Sequence, residues 1–208
     1  MRDRETPTVE DVALVGGRLC LDFANTANWL DAAPVDERLK TFADLTAWGR
    51  RKGLIDQGTE GKLNRRGARH RAAAHDALQR ALVLRDALWR LFSCGAADRA
   101  ADLAIVNAAR AAPAPELAQA ERGGAPVFVP AAKDLDTWLL HPVAASAAEL
   151  LTAPVRGRVK RCPGDRCGWV FLDDSPSGRR RWCSMKTCGN REKARAHYDR
   201  RRGVAGSA

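Results

Sequence analysis

At 208 residues and 45% hydrophobic composition, the chain can bury a real core as one large domain, or as one domain with a small appendage. Its opening, MRDRETPTVEDV, is charged and lacks the apolar stretch of a signal peptide, and no run approaches the roughly 18 apolar residues of a membrane span. A cytoplasmic protein without membrane partners is therefore expected. The net charge of +10 is confined to one region: Arg156 to Arg202 carries fifteen Lys/Arg against five Asp/Glu, while the rest of the chain balances at twenty of each. Such asymmetry predicts a basic module with a polyanionic partner, nucleic acid ahead of an anionic membrane surface. A plain solvated tail is the alternative, and the Cys and Trp residues spaced through the region argue against it.

In chain order, VALVGGRLCLDFANT sets Leu19, Leu21 and Phe23 against Arg18, Cys20 and Asp22, a strand pattern opened by a Gly-Gly turn. In TFADLTAWGRRKG, Thr41 and Asp44 fit a capping box and Gly53 suits a helix stop. The clearest helix runs over 74–94, where Leu78, Leu82, Trp89 and Phe92 recur at near-helical spacing and Gly95 follows as a cap. Another helix is predicted from near Asp98 to Pro113, and GGAPVFVP suits a short strand or hairpin arm. KDLDTWLLHPVAASAAELLTAP reads as helix in two pieces, because Pro142 favours a new first turn. Pro154 ends this part and the charge changes at Arg156, which sets a boundary between residues 1–155, mainly helical with small β elements, and a module over 156–208.

Four of the six cysteines, Cys162, Cys167, Cys183 and Cys188, form the pattern C-x4-C-x15-C-x4-C. Two close pairs at this separation are what a tetrahedral four-thiolate zinc site requires, and in a reducing compartment such clusters bind metal more readily than they form disulfides. Four thiolates leave no open coordination position, so the single ion is read as structural. It would supply roughly 10 kcal/mol or more of folding free energy to a segment with little core of its own. Iron in a rubredoxin-like site is the alternative ion, and so basic a surround suits electron transfer poorly. Between the pairs, GWVFLDDSPSGRRRW reads as a hairpin, and a helix is expected from near Ser184, which together give treble-clef-like geometry. Cys20 and Cys94 have no partner at ligand spacing and are read as buried apolar residues.

If Cys188 faces the metal, then Lys186, Asn190, Lys193, His197 and Arg201 lie within about 40° of the opposite side of the helix. Lys and Arg neutralise phosphates, and Asn pairs bidentately with adenine. His197 is equally well an ordinary surface residue. Arg191 sits nearer the metal, where two roles are open: hydrogen bonding to thiolates or backbone, or reading a base. Arg179, Arg180 and Arg181 fall on the returning hairpin strand, placed to grip the sugar-phosphate backbone.

CGNR at 188–191, preceded by RRRWCSMKTC and CGWVFLDDS, closely resembles the bacterial CGNR zinc-finger family over about residues 158–202. GGRLCLDFANT, FADLTAWGRRKGL, LVLRDALWRLF and ASAAELL resemble the ABATE domain that usually accompanies this finger. The resemblance implies a stress-induced transcription regulator with a DNA-binding finger and a front domain that senses a small-molecule effector. It transfers the metal role to Cys162, Cys167, Cys183 and Cys188, and includes Asn190 and Arg191 in the signature without a settled role. Asp22, Asn25 and Thr26 match the front domain's LDF-NT stretch, either lining a pocket or, for Asn25 or Thr26, capping a following helix.

The reading is thus a zinc-dependent, DNA-binding transcription regulator. The alternative is a finger for RNA or protein contact without sequence-specific DNA reading. No nucleophile elbow, phosphate loop or metal-binding His/Glu motif marks an enzyme, and the four histidines are scattered. One finger is a small footprint, which suits a homodimer, although no heptad or interface pattern marks one.

Overall fold

In the computed structural model, which describes residues 8–93, 99–111, 116–118, 127–129 and 135–205, Leu19–Ala24 form helix α1 where alternation predicts a strand. Cys20, Leu21, Asp22, Phe23 and Ala24 are all buried, so the stretch is enclosed on every side, and six residues are too few for a 3.6-residue period to declare itself. Strands β1 (Ala27–Leu30) and β2 (Ala33–Glu37) follow as an antiparallel hairpin. Trp29 of β1 stacks on Trp89 at 4.4 Å between centroids, and Glu37 of β2 pairs with buried Arg85 at 2.6 Å, which fixes the hairpin to the core.

Helix α2 (Phe42–Arg51) starts at the expected capping box: the Thr41 hydroxyl accepts from Asp44 N–H at 3.2 Å, and the Asp44 carboxylate accepts from Thr41 N–H at 2.7 Å. Gly53 has the left-handed φ of 71° expected of a helix stop. After α3 (Gln57–Arg69), the long α4 (Arg71–Ser93) supplies the centre of the core through Ala77, Leu78, Ala81, Leu84, Leu88 and Trp89. The expected cap Gly95, and Cys94, lie outside the described residues. Helix α5 (Ala100–Ala111) precedes a short pair, β3 (Glu116–Ala118) with β4 (Val127–Val129), the latter falling in GGAPVFVP.

Helix α6 (Thr137–Thr152) is continuous, with Pro142 inside it, rather than broken in two. Proline removes one backbone bond there, while burial of Leu139, Leu140, Val143, Ala144, Ala147 and Leu150 holds both flanks on the core. Strands β5 (Val159–Arg161) and β6 (Val170–Leu172) and the terminal helix α7 (Asn190–Ala205) complete the chain. Val170 and Leu172 belong to the same buried cluster as Leu21, Phe23, Trp48 and Trp89. The core of the helical part therefore extends across residue 155 into the cysteine-bearing segment.

Candidate metal centre

The hairpin of this segment encloses the first cysteine pair and does not lie between the pairs. β5 and β6 are antiparallel, with Val159 opposite Leu172 and Arg161 opposite Val170, and Cys162 N–H donates to the Trp169 carbonyl at 2.7 Å. PGDRCG thus forms a knuckle between strands. The expected second arm is absent because Asp173 captures that stretch. Its carboxylate accepts from Ser175 N–H and Oγ, from Arg180 N–H and from the Lys160 ammonium, so residues 173–180 fold into a loop. Residues 179–182 form no strand.

Two glycines make the knuckle possible. Gly168 has φ 61°, and a Cβ there would lie 2.6 Å from the Trp29 carbonyl oxygen. A Cβ on Gly164 would lie 3.1 Å from Cys188 Sγ and 3.4 Å from Cys162 Sγ, so bare backbone closes that side of the sulfur cluster. The second pair is set by Ser184, whose hydroxyl accepts from Thr187 N–H at 3.3 Å and starts a wide turn over Met185–Gly189 that carries Cys188 and runs into α7.

All four cysteines are buried, and their sulfurs lie within 4.8 Å of one another. Cys183 Sγ is 3.6 Å from both Cys167 Sγ and Cys188 Sγ. Zinc–sulfur bonds of about 2.3 Å in a tetrahedron set sulfurs about 3.8 Å apart, whereas a disulfide needs about 2.05 Å. The quartet therefore fits one structural zinc ion. Crowding also shifts the thiols. Cys162 is drawn below its ordinary value because it accepts hydrogen bonds from Cys167 and Cys183, and those two are pushed up by the same bonds and then by burial. A divalent cation removes the repulsion that holds those protons on. Cys20, by contrast, is pushed up to about 12, by burial first and by the Asp22 charge as well, and stands apart as an inert core thiol.

A family model described as "Putative stress-induced transcription regulator", ABATE, matches residues 17–154, and a CGNR zinc finger model matches residues 158–201. The chain belongs to the ABATE family. No curated protein matches it. Both matched descriptions are of regulator or finger type.

The ABATE domain and the CGNR finger are joined by a dense set of hydrogen bonds. Trp29 N–H donates to the Cys167 carbonyl at 2.9 Å, and the Trp89 indole donates to the Gly168 carbonyl at 2.8 Å. The Trp169 indole donates to the Ala27 carbonyl at 3.0 Å, and Leu172 N–H to the Gly16 carbonyl at 2.9 Å. Asn25 clamps Val170 from both sides: its amide donates to the carbonyl and its Oδ1 accepts from the N–H, each at 2.9 Å. Asp22 accepts from Gly16 N–H and from the Lys52 ammonium, each at 2.8 Å, and Thr26 Oγ1 donates to the Phe23 carbonyl. The element after Asn25 and Thr26 is strand β1, so neither caps a following helix.

Of the basic residues singled out from sequence, Arg179, Arg181, Lys186, Arg191, Lys193 and Arg201 are exposed, as are Asn190 and His197. Asn190 Nδ2 donates back to the Lys186 carbonyl at 3.4 Å, and the Arg181 guanidinium lies 5.0 Å from the Trp182 ring. Arg180 turns inward. Its guanidinium sits 4.4 Å over the buried Phe171 ring and donates to the carbonyls of Val15, Leu172, Trp182 and Cys183. Over its described side chains α7 has no buried face: none from Asn190 to Arg201 is buried, and every residue from Lys193 to Arg201 is exposed. The arrangement of Asn25, Asp173 and Arg180 was not foreseen. Each is a polar residue whose bonds reach backbone groups far away in sequence, and no spacing rule marks such a role.

Proposed function

We propose that this ABATE-family chain is a DNA-binding transcription regulator in which the zinc cluster holds α7 out from the body as a cationic rod. The observation that carries the reading is the exposure of α7 from Lys193 to Arg201, with Arg191, Lys193, Arg195, Arg200 and Arg201 along about 15 Å of helix. Among the described residues, Arg195 alone of these forms an ion pair, at 2.5 Å to Glu192. Lys186, Arg179 and Arg181 extend the cationic surface at the base of the helix, while Lys160 and Arg180 are occupied internally. Among the described residues no helix is long and apolar enough to cross a membrane.

Phosphate contacts of this kind make affinity fall steeply with salt. Fluorescence anisotropy with duplex DNA over a salt series tests the reading. The double substitution Lys186→Ala and Lys193→Ala should weaken binding to every sequence and reduce the logarithmic salt slope by about 2. Unchanged binding at low salt rejects the proposed face, and tighter binding to structured RNA or an acidic protein than to duplex replaces DNA as partner. Asn190→Ala should change the preference between sites if that side chain reads a base. One projecting helix covers few base pairs, so the complex is expected to hold two copies, which sedimentation of the complex counts.

Effector sensing is assigned to a cavity of about 450 Å³ between α4, α5 and α6, walled by Val83, Leu84, Ile105 and Leu140 with Asp136 and His141. A few polar groups among apolar walls, Asp136, Thr137 and His141, suit the orientation of a small ligand. Asp22, Asn25 and Thr26 do not line it. Fragment binding observed by NMR and lost in Ala109→Trp supports this site; hits indifferent to that substitution reject it.

A further inference from the structure

A cleft of about 210 Å³ lies beside the sulfur cluster where the ABATE domain meets the finger. Three guanidinium side chains from three separate stretches of chain line it: Arg38 just after β2, Arg166 in the knuckle and Arg191 in the first turn of α7. None of the three makes a side-chain hydrogen bond or ion pair with the described residues, whereas Arg50, Arg85 and Arg180 are all held by carboxylates or carbonyls. The one carboxylate in the lining, Asp11, accepts from Thr8 N–H at 2.8 Å and from Thr8 Oγ1 at 2.9 Å. Its charge also attracts Arg38 from a distance. Asn28 in the same wall donates to Asp36 at 2.8 Å.

Arg166 is held at φ 50°, a left-handed conformation that glycine adopts without strain and that its neighbours Gly164 and Gly168 would suit. Four thiolates on a divalent ion carry a net charge of −2 and offer a rival reason for the arginines. Against it, no arginine donates to a sulfur: the described sulfur contacts of hydrogen-bond type between side chains are those among the cysteines themselves.

We infer that this cleft captures an oxyanion of the phosphate class between guanidinium groups of both parts of the chain. Guanidinium forks match phosphate oxygens bidentately, and none of the three is engaged by the one carboxylate of the wall, so all three forks stand open to the ligand; the zinc-bound quartet, three of whose cysteines also line the cleft, balances their charge without occupying their N–H groups. The phosphate is that of a nucleic-acid backbone or of a free anion. The site extends the DNA reading in the first case and stands without it in the second.

The test uses the full zinc-loaded chain, with pyrophosphate followed by isothermal titration calorimetry and a duplex followed by anisotropy. Zinc content of every variant is measured in parallel. Arg38 is the decisive position, because it belongs to the ABATE domain and is remote in sequence from every cysteine ligand. R38Q is expected to weaken pyrophosphate binding at least tenfold, R38E to abolish it and R38K to retain most of it. Weaker duplex binding by R38Q, with a salt slope smaller by about 0.9, identifies the nucleic-acid backbone as the source. Duplex binding unchanged alongside the pyrophosphate loss identifies a free anion. The inference is overturned if wild type binds pyrophosphate no better than chloride and R38Q leaves duplex binding intact. It is equally overturned if R166Q and R191Q merely lose zinc while R38Q binds both probes normally, since the arginines then serve the thiolates. Pyrophosphate binding that depends on Arg38, in a protein that ignores DNA altogether, leaves this site standing and removes the proposed function.

Discussion

Asn25 is the point at which one substitution should uncouple the ABATE domain from the finger. Its side chain satisfies both backbone groups of Val170 at 2.9 Å, and both residues are fully buried. Asn25→Ala strands a buried N–H and a buried carbonyl. Each costs about 1–3 kcal/mol, so the expected loss is about 2–6 kcal/mol, a large part of the roughly 5–15 kcal/mol typical of a folded domain. Urea denaturation of the zinc-saturated protein measures it as a fall in midpoint at constant slope. Because β6 leads directly out of the knuckle, zinc transfer to a competing chelator should also accelerate. Asn25→Asp keeps an acceptor for the N–H but sets a carboxylate oxygen against the carbonyl, so it should destabilise as well. A change below about 0.5 kcal/mol in both variants, the size of an ordinary surface substitution, with zinc transfer unaltered, would refute the claim that this clamp joins the two parts.

Gly168→Ala places a Cβ 2.6 Å from the Trp29 carbonyl at a left-handed φ of 61°. It should cost about 1–3 kcal/mol and loosen zinc, read by the same urea and chelator assays. Asp173 is held well below the ordinary carboxylate value of 3.8 by the Lys160 ammonium first and the Ser175 hydroxyl second. The stability it contributes is therefore present above the unfolded value and is lost as pH falls through and below it. The stability gap between wild type and Asp173→Asn should stay constant from pH 8 to about pH 5 and narrow below that; a gap that already shrinks between pH 8 and 5 contradicts the assignment. Cys167 and Cys183 keep their protons until a cation arrives. Zinc binding should accordingly release protons and weaken in acid, which calorimetry in two buffers of different ionisation enthalpy measures.

The metal ligands were legible because ligand spacing is a local property, carried by pairs of residues five apart. Helices α2 and α4 were legible for the same reason, through a capping box within four residues and apolar repeats over six turns. The failures share a cause. α1 is enclosed on all sides, which erases periodicity, and α6 runs through Pro142 because packing on both flanks outweighs one missing bond. The loop after β6 departs from hairpin geometry because Asp173 gathers Lys160, Ser175 and Arg180. Each depends on partners brought together only by the fold. The basic residues met the same limit: the charge count included Lys160 and the hairpin reading set Arg180 to grip phosphate, whereas the structure engages both with carbonyls, and Lys160 with a carboxylate too.

The exposed helix α7 raises its own question of stability. An isolated helix shorter than about 12–15 residues is marginal in water, and this one has sixteen, with no buried residue between Asn190 and Arg201. Arg191 and Arg195 repel each other at i,i+4, while the Glu192–Arg195 pair at 2.5 Å and the Arg195/Asp199 spacing offset part of that. The costly first turn is supplied from outside, by the Ser184 cap and by Cys188 as a metal ligand just ahead of Asn190. Nucleation at the cluster then propagates outward through residues with good helix propensity. Removal of zinc with a chelator should therefore melt α7 while α2, α4 and α6, held by the apolar core, persist. The expected signature is loss of about one helix of this length in far-ultraviolet circular dichroism, together with loss of amide protection confined to residues after Ser184. Retention of α7 protection in the metal-free protein would show that the helix stands on its own sequence, and would remove the reason for placing a zinc cluster at its base.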